Sequence, residues 1–106
     1  MKKVAFLFIL LVPILVKASF TYTSIISGGN WETNATWVSV PAGGTYPQKG
    51  DNVIINTNVT ATAYVQVLNL TINIGKTLTI SGSKLIDIDG KLTNNGVLNT
   101  TGGGTI

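Results

Sequence analysis

Outside its first eighteen residues the chain carries four acids: Glu32, Asp51, Asp87 and Asp89. Asp87-Ile88-Asp89-Gly90 holds two of them at close spacing. On a strand both carboxylates share one face, about 6.5–7 Å apart at the Cα atoms. That pair, Asp87 with Asp89, is a candidate half of a calcium site, because calcium takes about six to eight oxygen ligands. No further acid lies nearby in sequence, so the competing reading is a solvated strand ending in an Asp-Gly turn. Glu32 and Asp51 could flank a glycosidic bond only if the N-terminal segment folds back, since hydrolysis needs two carboxyls about 5–9.5 Å apart. The plainer role for Asp51 is to accept backbone N–H groups at a turn. Trp31, Trp37 and Tyr46, with Tyr64, could form a stacking platform for carbohydrate, because aromatic faces suit the C–H surfaces of sugars. The alternative is that Trp31 and Trp37, six positions apart, pack inward as a small core.

What is missing narrows the chemistry further. There is no His, no Cys and no Arg in the 106 residues. Thiol nucleophiles, histidine bases, disulfides and nearly all zinc sites are thereby excluded. The net charge of +3 comes from Lys2, Lys3 and Lys17; beyond them four lysines balance four acids. A neutral domain without arginine has little to offer a phosphate backbone, so nucleic acid is not an expected partner. No cofactor is expected either.

Those three lysines frame an address. Met1-Lys2-Lys3 is a short cationic start, Val4 to Val16 is an apolar run, and Val16-Lys17-Ala18 places small residues at −3 and −1 of a cleavage after Ala18. This is the layout of a secretory signal peptide over residues 1–18. The apolar run contains Pro13 and is shorter than the roughly 20 residues needed to span a bilayer. The mature product is therefore expected outside the cell or at its surface, with no membrane span after cleavage.

The elements that must position the candidate residues read as strands and turns. Residues 19–106 hold all twelve glycines, fifteen threonines and ten asparagines, with short runs of Val, Ile and Leu between them. From Leu68 onward the alternation is plain: Leu68, Leu70, Ile72 and Ile74 on one face, then Leu78 and Ile80, then Ile86 and Ile88, continued by Leu92 and Leu98. Period two with one apolar face predicts half-buried strands. Gly75, Gly82, Gly90 and Gly96 recur at short intervals, and the span from 75 to 96 suits one coil of a three-sided parallel β-helix. An antiparallel sandwich is the other fold this pattern allows, with Asp89-Gly90 and Asn95-Gly96 as hairpin turns. Residues 19–50, with both tryptophans and all mature prolines, are expected to form a loop-rich N-terminal cap, and residues 51–106 the first coils. The sequence closes on Gly102-Gly103-Gly104-Thr105-Ile106 without a cap, which predicts truncation at the C-terminus and downstream modules in the same polypeptide. Four Asn-x-Thr sequons, beginning at Asn34, Asn58, Asn69 and Asn99, read as polar surface positions.

Some of these residues also carry a likeness. Gly29-Asn30-Trp31 followed by Thr36-Trp37, then Pro47 and Gly50-Asp51-Asn52-Val53-Ile54-Ile55, then Leu68-Asn69-Leu70-Thr71-Ile72 and Gly75-Lys76-Thr77-Leu78-Thr79-Ile80, resembles the opening of G8-like domains. It resembles equally the large secreted β-helix proteins common in the Bacteroidetes. The likeness spans roughly residues 27–98; its two tryptophan motifs and the Gly50-Asp51-Asn52-Val53-Ile54 step are fairly specific, and its later coils are generic to β-helices. It implies an all-β, right-handed parallel β-helix near the N-terminus of a longer exported chain. It supplies no catalytic positions. The function expected is a non-catalytic, structural or adhesive scaffold with a polysaccharide or cell-surface ligand. The alternatives are a carbohydrate-binding module, or the start of a polysaccharide-active enzyme whose catalytic residues lie downstream.

Overall fold

A computed structural model describes residues 19–82 and 85–100. The signal peptide expected at 1–18, Lys84, and the glycine-rich end from 101 to 106 lie outside the described residues. The fold is all-β. Its strands are β1 (Thr21–Ser24), β2 (Gly29–Asn30), β3 (Trp37–Val40), β4 (Asn52–Ile55), β5 (Val59–Ala61) and β6 (Val65–Val67). They continue as β7 (Asn69–Ile72), β8 (Thr77–Ile80), β9 (Ile86–Ile88), β10 (Leu92–Asn94) and β11 (Val97–Thr100), with one 3-10 turn at Asn34–Thr36.

Three sheets share these strands, in the orders β10-β7-β4-β1-β3, β11-β8-β5-β2 and β6-β9. Chain order thus visits the three sheets in turn: β4, β5 and β6, then β7, β8 and β9 in the same sequence. Among the described residues every pairing is parallel except that of β1 with β3. The antiparallel sandwich that the glycine spacing allowed is therefore not what forms. Nor is the N-terminal segment separate from the rest: β1 pairs with β4 and β2 with β5, so the sheets run across the boundary at residue 50.

Parallel register puts like on like. Val53 faces Leu70, Ile55 faces Ile72, Val59 faces Leu78, Ala61 faces Ile80 and Val65 faces Ile86. All ten are buried. Strands covered on their inner face gain most from β-branched and aliphatic side chains, which pack against the neighbour one strand away. The strands are short, however, and the alternation expected from Leu68 to Ile74 holds only within β7. Leu68 and Ile74 lie just beyond its ends and are exposed, Ile74 at 82%. Leu92 and Leu98 point inward in register with Leu70 and Leu78, yet Leu92 is exposed and Leu98 half-buried. Among the described residues no further strand lies beyond β10 and β11 to cover them.

The offset between paired strands is not constant. Asn52 and Asn69 are linked across 17 positions, Asn69 and Lys91 across 22. Turns absorb the difference, and two glycines show how. Gly75 takes φ +77, a left-handed backbone that only glycine adopts freely. Gly96 is required for another reason: a Cβ there would collide with the carbonyl oxygens of Lys76 and Asn73. Asparagines bind the outer faces together. Asn69 donates from Nδ2 to Asn52 Oδ1 at 2.8 Å, Asn73 does the same to Asn56 at 3.0 Å, and Asn69 Oδ1 accepts the Lys91 N–H at 2.9 Å.

Candidate functional site

The N-terminal end of the core is aromatic. Trp31 and Trp37 meet edge to face with ring centroids 5.1 Å apart, and Tyr22 meets Trp37 at 6.1 Å. Edge-to-face contact aligns the positive ring edge with the negative face of its neighbour. Each indole N–H is satisfied inside: Trp37 Nε1 donates to the Trp31 carbonyl at 2.8 Å, and Trp31 Nε1 to the Pro47 carbonyl at 3.2 Å. Trp31 is 1% exposed and Trp37 6%. A sugar cannot stack on either ring, so the platform expected of Trp31 and Trp37 is replaced by packing.

Asp51 is likewise structural. It is buried, and its carboxylate accepts the Phe20 N–H at 3.1 Å and the Gln48 N–H at 3.0 Å. This ties the first strand to the loop that precedes β4. Tyr22 lies close enough to matter electrostatically: burial pushes its phenol above the ordinary value, and the Asp51 carboxylate pushes the same way. Asp51 thus spends its carboxylate on backbone donors, the plainer of the two roles its sequence position allowed.

The Asp87–Asp89 pair stands at the end of β9, near Tyr64. Asp87 is on the outer face of β9, where its Oδ2 accepts from the Tyr64 hydroxyl at 3.3 Å. Asp89 lies past the strand end, exposed, its N–H donating to the Val67 carbonyl. Among the described residues no group of three or more His, Cys, Asp or Glu could hold a metal ion.

What the fold does assemble is a recess of about 290 Å³ over the edge of Trp31. Its walls come from three separate places: Glu32 after β2, Tyr46 to Lys49 before β4, and Ala63, Tyr64 and Gln66 at the start of β6. Tyr46 is half-buried, and Tyr64 is 51% exposed with its hydroxyl anchored on Asp87. Desolvation, reinforced by that carboxylate, raises the Tyr64 phenol above its ordinary value. Glu32 is held by a closed ring of hydrogen bonds. Asn30 Nδ2 donates to Thr62 Oγ1 at 3.3 Å, Thr62 Oγ1 donates to Glu32 Oε1 at 3.3 Å, and the Glu32 N–H donates to Asn30 Oδ1 at 2.9 Å. The second carboxylate oxygen, Oε2, is buried and has no hydrogen-bond partner.

Tyr46 and Tyr64 belong to the aromatic set that the sequence singles out; Thr62 and Gln66 do not. Nothing in their spacing marks them: Thr62 reaches Glu32 only through the pairing of β2 with β5, 30 positions away, and Gln66 lines the same recess from β6. Among the described residues no helix is long and apolar enough to cross a membrane. Comparison with family models, with curated proteins and with solved structures gave no match, so the likeness to G8-like domains rests on the quoted motifs alone.

Proposed function

We propose that the chain is exported and that its mature part is the capped beginning of a right-handed parallel β-helix, serving as a non-catalytic scaffold at the cell surface or outside the cell. The observation that supports this is the repeated order of sheets, β4-β5-β6 then β7-β8-β9, with aliphatic residues in register on their inner sides. Such stacking makes each turn of chain the template for the next, and a rod built this way grows by addition. Its N-terminal end is closed by the Tyr22, Trp31 and Trp37 cluster and by β3, which pairs antiparallel on β1. The Asn and Thr side chains on the outer faces give the rod a polar surface. Two of the acids are spent on internal hydrogen bonds: Asp51 accepts backbone N–H groups and Asp87 the Tyr64 hydroxyl.

One experiment tests both parts of the reading. The chain is expressed with its N-terminus intact, carrying either Thr60→Cys with Thr79→Cys or Thr71→Cys with Thr93→Cys, outer-face partners on adjacent strands. Paired Cα atoms about 5 Å apart are within disulfide reach. The expected product is extracellular, begins at Ser19 by mass and contains the disulfide in both variants. Retention inside the cell, or a free thiol in both variants after oxidation, sinks the proposal.

A further inference from the structure

We propose that the recess formed by Glu32, Tyr46, Tyr64 and Gln66 binds a single neutral sugar ring, a role independent of the scaffold reading. Four observations carry it. First, Glu32 Oε2 is a buried acceptor without a donor. Burial without a partner is costly for a carboxylate oxygen, and a ligand hydroxyl aimed at it removes that cost. Second, the carboxylate is held in place before any ligand arrives, by the Asn30–Thr62–Glu32 ring, so little ordering remains to be done on binding.

Third, the recess carries two tyrosines. The Tyr64 hydroxyl is tethered to Asp87, which holds the side chain of an otherwise exposed residue at the rim. Tyr46 lines the same space from the loop before β4. An aromatic face beside a hydrogen-bond acceptor matches a pyranose, whose C–H face is apolar and whose rim is hydroxylated. Fourth, the volume of about 290 Å³ lies at the lower limit of small-molecule pockets, near 300 Å³, which suits one ring rather than an extended chain.

Charge selects among the alternatives. Lys49 lines the recess, so an ammonium or metal cation meets a like charge there, and Glu32 opposes a uronate or phosphate. A neutral ligand escapes both, donating a hydroxyl to the Glu32 carboxylate beside Tyr64, whose hydroxyl Gln66 also bonds.

The test uses the exported protein, isotopically labelled, titrated with glucose, galactose, mannose and N-acetylglucosamine at tens of millimolar, with methylammonium chloride as the cationic probe. The expected result is saturable movement of the amide signals of Glu32, Ala63 and Gln66 by at least one sugar. Tyr64→Ala and Glu32→Ala then each weaken that sugar at least tenfold, with melting temperatures within a few degrees of the parent. A tenfold loss corresponds to one hydrogen bond or stacking contact. Absence of saturable shifts with all four sugars overturns the proposal, as does binding undiminished in both variants. So does a stronger response to methylammonium, which assigns the recess to cations. None of these failures touches the export and cross-linking results on which the scaffold rests.

Discussion

Leu70 and Leu92 occupy equivalent positions one strand apart, in register with each other and, for Leu70, with Val53 on the other side. The same substitution at the two sites therefore measures what being enclosed is worth. Leu70 is fully buried between two inner-face neighbours, whereas Leu92 is 38% exposed on the outermost strand. Replacing an enclosed leucine by alanine forfeits transfer free energy and leaves a cavity, together about 2–5 kcal/mol. At Leu92 a large part of the side chain is already in water, and among the described residues no second strand closes over it. Only the transfer part remains, about 1 kcal/mol at 0.8 kcal/mol per buried CH₂. In a domain of 60–100 residues each kcal/mol moves the melting temperature by about 4–8 °C, so a central value of about 3 kcal/mol for Leu70→Ala lowers it by about 12–24 °C. Leu92→Ala lowers it by about 4–8 °C on the same scale. Circular dichroism on heating, with the emission of the buried Trp31 and Trp37 as a second probe, reads both. Equal shifts for the two variants refute the reasoning, because they mean that Leu70 and Leu92 are enclosed to the same degree.

Other perturbations test the N-terminal end and the turns. Asp51→Ala leaves the Phe20 and Gln48 N–H groups without their acceptor and is expected to destabilise by about 2–5 kcal/mol in urea unfolding, with Asp51→Asn costing less because it keeps one carbonyl oxygen. Because the Tyr22 phenol is raised in the folded state, its contribution is fully present below the unfolded value of about 10 and fades as pH climbs past it. Melting temperatures between pH 8 and 11.5 should therefore fall above about pH 10, and less steeply in Tyr22→Phe; identical slopes count against the assignment. Gly96→Ala forces the backbone away from the Lys76 and Asn73 carbonyls and should lower the melting temperature more than Gly82→Ala, which costs only a left-handed residue, about 1–2 kcal/mol.

How legible this was in the sequence depends on where a residue gets its neighbours. The inner rows of β7, β8 and β9 follow from period two alone, since Leu70, Ile72, Leu78, Ile80 and Ile86 alternate with Thr, Asn and Asp and are buried. Leu68 and Ile74 carry the same period but sit where the chain is already turning, and hydropathy does not reveal that a strand stops at four residues. The regular glycines were visible, though not that Gly75 supplies a left-handed φ while Gly96 makes room for two carbonyls. Asp51 could be placed at a junction because an Asp after Gly in a loop favours backbone donors. Asp87 could not be matched to Tyr64, which lies 23 positions back. The recess is the extreme case: Glu32, Tyr46 and Tyr64 come from three loops, and only the parallel pairing of distant strands brings them together.

The unequal offsets between parallel strands from β4 onward, from 17 to 22 residues, have a mechanical meaning. Tension applied along the sheet orders pulls in the direction of the interstrand hydrogen bonds, so the rows peel singly instead of shearing as a block. Each row that detaches releases its own length of chain, about 60–75 Å at full extension. Force spectroscopy would record a sawtooth whose steps differ in length from one row to the next, a ruler written in the turns. Sheets joined in this order yield by instalments, giving up contour length at low force while the strands still attached keep their pairing.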